Sequence, residues 1–99
     1  MVKWSVPARN DLKQIHDYIA KDSKYYARKV IQEVIAKTET LTELPEIGRI
    51  VPEISDQNIG ELIVYSYRLI YEISGAGVEI LAIIHSRRDF NSAWKKRDH

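Results

Sequence analysis

The chain has no cysteine. That excludes a disulfide framework and any thiolate metal site, and it fits a reducing compartment. Histidine is scarce: His16, His85 and His99 are scattered, and no HExxH or comparable metal-ligating spacing occurs. Glycine is scarce too. Gly48, Gly60, Gly75 and Gly77 form no phosphate-cradling loop, and each reads as a turn residue. No stretch approaches the roughly 20 apolar residues that span a membrane. The opening Met1-Val2-Lys3-Trp4-Ser5-Val6-Pro7 holds no apolar run of signal-peptide length. No Ser-His-Asp arrangement can be argued. The expectation is a soluble, cytoplasmic protein with no metal, no cofactor and no membrane contact.

What is present suffices for one folded unit. Ninety-nine residues make a single domain, 1–99, and a 44% hydrophobic content is that of a chain with a core rather than a disordered one. The net charge of +1 hides a division. Residues 1–38 carry +4, residues 39–61 carry −5, and residues 85–99 carry +3. The basic halves suit an anionic partner, although runs of charge also serve simply as solvated faces.

Periodicity assigns the elements. Val2, Trp4 and Val6 alternate with Lys3 and Ser5, the pattern of a short strand. Pro7 suits the first turn of a helix, and Ala8, Leu12, Ile15 and Ile19 form its apolar stripe. Asp22 or Ser23 then caps a second helix with the stripe Ala27, Val30, Ile31, Val34, Thr38 and Leu41. So short a break predicts an antiparallel helical hairpin, ended by Leu44-Pro45. A long loop runs to about Gly60, and loops of that length are often functional or enclose a short strand. Strands follow over Glu61–Val64, Tyr67–Ile73 and Val78–Ile84, with turns at Tyr65-Ser66 and Ser74–Gly77. The last strand is apolar on both parities except at Glu79, which predicts an inner position. Asp89 opens a short helix with Phe90, Ala93 and Trp94 inward and Lys95, Lys96 and Arg97 outward.

The expected fold class is therefore α+β: an N-terminal strand, an antiparallel helical hairpin on one face of an antiparallel sheet, and a short C-terminal helix. The order is β-α-α-β-β-β-α, and the other face of the sheet is expected to be partly open.

The arginines are the residues most in need of a reason. Arg68 lies inside a strand, where a charge is costly unless paired or brought to a surface. Glu53, Glu61 or Glu72 can pair with it; alternatively, it is a charge held on a rigid element to meet a phosphate or carboxylate. Arg87 and Arg88 directly follow the last strand, next to His85, for which structural and functional roles are both open. Tyr65, Tyr67 and Tyr71 can stack on bases, or fill the core as strand aromatics usually do.

Four pieces, in order, carry a resemblance. They are Ala8-x-x-Asp11-Leu12-x-x-Ile15-x-x-Tyr18-Ile19, Leu44-Pro45-x-x-Gly48-Arg49-x-x-Pro52-Glu53, Tyr67-Arg68-Leu69-Ile70-Tyr71 and Ile80–Asp89. With them the chain resembles the RelE/ParE superfamily of bacterial type II toxin–antitoxin systems, also known as plasmid stabilisation proteins. The resemblance implies a small toxin neutralised by a cognate antitoxin, in a hetero-oligomer that meets operator DNA only through the antitoxin. RelE-like members cut mRNA on the ribosome, whereas ParE-like members inhibit DNA gyrase without a hydrolytic site. The Gly48-Arg49 and Pro52-Glu53 pieces and the His85-Ser86-Arg87-Arg88-Asp89 ending look ParE-like, and the loop before the second strand is acidic, with Arg49 its one cation. The resemblance thus implies gyrase as target, with Arg49, Arg68, Arg87 and Arg88 as target-binding candidates. The alternative is a ribosome-dependent nuclease, with Glu53, Arg68, Arg87 and His85 as catalytic candidates. In that branch an Arg stands where the catalytic His would be wanted.

Overall fold

The structure, a computed structural model, describes residues 2–95. Lys96, Arg97 and His99 lie outside the described residues.

Strand β1, Val2–Trp4, leads directly into helix α1, Val6–Ala20. Ser5 makes the switch: its hydroxyl accepts from the Ala8 N–H at 3.1 Å, and Pro7 occupies the first turn. Val6 therefore belongs to the helix, not to the strand alternation. Helix α2, Lys24–Glu39, is capped by Ser23, which accepts from the Tyr26 N–H at 3.0 Å. A single 3₁₀ turn, Thr40–Thr42, carries Leu41 into the core.

The remaining chain is a meander. Strands β2 (Arg49–Ile50), β3 (Ile59–Val64), β4 (Tyr67–Ser74) and β5 (Gly77–His85) precede helix α3 (Phe90–Lys95). The five strands lie in the order β1-β5-β4-β3-β2. All neighbours are antiparallel except β1, which runs parallel to β5 with Val2 opposite Val78. The sheet is thus mixed rather than wholly antiparallel. The helical hairpin that separates β1 from the meander allows this parallel return. The expected long loop does enclose a short strand, β2.

A bulge at Leu81 explains the unusual pattern of β5. Tyr71 pairs with Ile80 but Ile70 pairs with Ala82, so Leu81 is an extra residue. It resets the alternation, and Ile80 and Ile83 face the helices while Ala82 and Ile84 face the other way.

Two cores result. Between hairpin and sheet lie Ala8, Val30, Val34, Leu41, Leu62, Leu69, Tyr71 and Ile80, with Leu12, Ile15 and Ile19 packed against them. On the opposite face, Val51, Ile59, Ile70, Ala82, Ile84, Phe90 and Ala93 form a second cluster, joined by Ile54 and Trp94. That face is therefore covered in part, with Ile63 of β3 still 52% exposed on it. The 51–54 segment and α3 cover it, because each contributes apolar residues that the strands alone leave exposed. No helix among the described residues is long and apolar enough to cross a membrane.

Candidate functional site

The strongest polar feature lies on the second face. Arg68, in β4, has 9% of its surface exposed, and Glu61, in β3, has 2%. The Arg68 Nε donates to Glu61 Oε1 at 2.6 Å, and its two Nη groups donate to the two oxygens of Glu53 at 2.9 and 2.8 Å. The second oxygen of Glu61 accepts from Arg49 Nε at 2.5 Å. The Phe90 ring lies against the Arg68 guanidinium, 4.5 Å from the centroid to Cζ. Two arginines thus face two carboxylates, and the buried Glu61 is held between them.

Register places these groups together. Arg49 lies opposite Glu61 across β2 and β3, and Arg68 lies opposite Ile63, diagonal to Glu61 across β3 and β4. Glu53 arrives on the covering segment, where Ser55 takes a positive φ of 56°. The bidentate hydrogen bonds from Arg68 hold the Glu53 carboxyl at a pKa of about 2. The same bonds push the Arg68 pKa upward. Of the three glutamates open from sequence, Glu53 and Glu61 are the partners. Glu72 instead lies opposite Glu79 in β5.

His85 sits elsewhere. It pairs with Tyr67 across β4 and β5, and the two rings meet edge to face at 5.3 Å. Its Nδ1 accepts from the Arg87 backbone N–H at 3.1 Å. Both rings line a cleft of about 560 Å³ on the hairpin side, with Asp11, Tyr18 and Arg88 among its walls. Tyr67 and Arg68 are successive strand residues, so they point to opposite faces. The sheet therefore stands between His85 and the Glu53–Arg68 pair, and the four nuclease candidates do not converge. Arg87 and Arg88 are exposed after the end of β5. His16 lies on α1 with Nδ1 3.2 Å from Asp17 Oδ1.

Two residues matter more than the sequence suggested. Glu61 is the centre of the ion network, and its one signal was a carboxylate inside an otherwise apolar strand. Tyr71 is fully buried and reaches under the 45–48 turn, where its hydroxyl donates to Pro45 O at 2.9 Å and accepts from Gly48 N–H at 3.1 Å. Burial raises the Tyr71 pKa. Gly48 and Gly60 are needed beside this phenol, since a Cβ at either would come within 2.9 Å of the ring or its oxygen. Gly60 is thus a strand residue that makes room for an aromatic side chain, not a turn residue. Among the described residues no cluster of His, Cys, Asp and Glu could hold a metal ion.

Comparison with known proteins agrees with this architecture. A solved structure described as a chromosomal ParDE toxin–antitoxin system from P. aeruginosa is similar, with a TM-score of 0.71 and 22% identity over 85% of this chain and 92% of that one. At that identity the likeness shows the fold. No curated protein matches the chain. The family model for the ParE toxin of type II toxin–antitoxin systems, parDE, matches residues 2–90. With nearly the whole described chain inside that match, the protein belongs to the ParE toxin family.

Proposed function

We propose that this toxin acts by binding DNA gyrase and performs no hydrolysis of its own. The observation that carries this reading is the sheet standing between His85 and the Arg68–Glu53 pair. General acid–base catalysis needs its groups within reach of one reacting atom. Here the histidine faces the helices, and the arginine that would clamp a phosphate is bonded to two carboxylates of its own chain. A binding role makes no such demand for convergence.

On this reading Arg68 fixes the covering segment from beneath, while Arg49, Arg87 and Arg88 offer exposed cations to the target. The cognate antitoxin, acidic and partly extended, covers the basic helical half and neutralises the toxin. Pulse-labelling after expression without antitoxin separates the two targets. A gyrase inhibitor lowers DNA synthesis first, with a DNA-damage response. If protein synthesis stops first and mRNA is cut on the ribosome, the gyrase reading is wrong.

A further inference from the structure

The acidic stretch 39–61 contains a second surface feature, distinct from the ion network. Glu43, Leu44, Pro45, Glu46 and Ile47 line a pocket of about 360 Å³ after the 3₁₀ turn. Leu44 and Ile47 are 60% and 47% exposed, which is unusual for large aliphatic side chains so close together. Glu43 and Glu46 are exposed beside them. The pocket is therefore apolar in its walls and anionic at its rim.

It is also preformed. The Leu44 N–H donates to Thr40 O at 3.0 Å and the Ile47 N–H to Leu44 O at 3.2 Å. Beneath them the Tyr71 hydroxyl bonds both Pro45 and Gly48, and Tyr71 is itself locked in the core. A turn fixed from below loses little freedom when a partner binds, so its exposed side chains are ready anchors.

We infer that this pocket docks a lysine or arginine side chain of the target protein. An aliphatic stem fits against Leu44, Pro45 and Ile47, and a cationic head lies between Glu43 and Glu46. Long basic side chains combine these two properties, with an apolar stem and a charged tip. Two copies of this chain meeting through this pocket would set Glu43 and Glu46 of one against Glu43 and Glu46 of the other, so a symmetric self-contact is disfavoured. An acidic partner is repelled for the same reason. The pocket therefore serves a basic partner, separate from whatever covers the basic helices. For the identity of that partner the inference rests on the gyrase reading.

The test has two arms. In the first, the isotope-labelled protein is titrated with a short synthetic peptide alternating leucine and lysine, and with a control alternating leucine and glutamate. Amide shifts confined to residues 43–48, seen with the lysine peptide alone, are expected. Absence of these shifts, or equal shifts with both peptides, overturns the pocket. In the second arm, the double variant E43K/E46K is compared with the parent in binding purified gyrase. Both sites are exposed, so the fold is retained, as circular dichroism checks. Affinity is expected to fall about tenfold or more, with a weaker dependence on salt. Unchanged gyrase affinity overturns the inference. If the parent itself fails to bind gyrase while the lysine peptide still shifts residues 43–48, the gyrase reading falls and the pocket stands. Self-association of the parent that E43K/E46K abolishes assigns the pocket to a second copy instead, and also overturns the inference.

Discussion

Arg68 grips both carboxylate oxygens of Glu53, and so fastens the segment after β2 across the face of the sheet. The same guanidinium neutralises the buried Glu61. Arg68→Ala leaves Glu61 with Arg49 as its cation, and leaves Glu53 without the two bonds that hold it. Breaking a buried ion pair costs about 3–5 kcal/mol when the remaining charge is left uncompensated. With Arg49 still on Glu61 and Glu53 partly exposed, urea unfolding of Arg68→Ala should show a loss below that range. Arg68→Lys should lose less, because it restores a charge but not the planar fork.

The Glu53–Arg68 pair also sets a pH dependence. The Glu53 pKa is lowered from 4.5 to about 2, so its contribution to stability is full above the unfolded value. As pH falls from about 5 towards 2, the folded state must give up an ionised Glu53 that the unfolded state has already protonated, and stability drops. Glu53→Gln should be less stable than the parent at pH 7 and should lose less stability across that acid range. Thermal melts of both proteins at several pH values check this, and parallel curves would contradict it.

Tyr71 joins the core to the 45–48 turn through its hydroxyl. Tyr71→Phe keeps the packing but orphans the Gly48 N–H and the Pro45 carbonyl, at a cost of about 1–3 kcal/mol. Faster exchange of the Gly48 amide should accompany it. Gly60→Ala should be destabilising by a different route, since its Cβ would lie 2.8 Å from the Tyr71 ring and oxygen. Overpacking of this kind costs about 1–3 kcal/mol.

Arg87 and Arg88 are exposed, and substitutions at such positions usually change stability by less than about 0.5 kcal/mol. Arg87→Ala combined with Arg88→Ala should therefore unfold like the parent. If these residues meet the target, gyrase inhibition should weaken about tenfold, equivalent to about 1.4 kcal/mol. A fall in inhibition together with a fall in stability would point to a structural role instead.

Much of this fold was written locally. The stripes Ala8-Leu12-Ile15-Ile19 and Ala27-Val30-Val34-Thr38 are the faces that pack on the sheet, and Ser23 is the cap. The features that were not legible depend on contacts distant in the chain. Nothing near Val2 indicates that β1 returns beside Val78 in parallel. The alternation in β5 hides a bulge, because an extra Leu81 between two apolar registers leaves residues 80–84 apolar throughout. Val51 and Ile54 stand outside any periodic stripe and far from Phe90 in the chain, so the shared role of the three in covering the second face emerges only on folding. At the site, the sequence offered three glutamates for Arg68, and only the β3–β4 register and the path of the 51–58 segment select Glu61 and Glu53.

The most direct measurement is supercoiling of relaxed plasmid by purified gyrase, with the purified toxin added alone and then with its antitoxin. The expected result is that the toxin inhibits supercoiling, that the antitoxin restores it, and that the toxin leaves mRNA on translating ribosomes intact. Full supercoiling in the presence of toxin, together with cleavage of ribosome-bound mRNA, would contradict it.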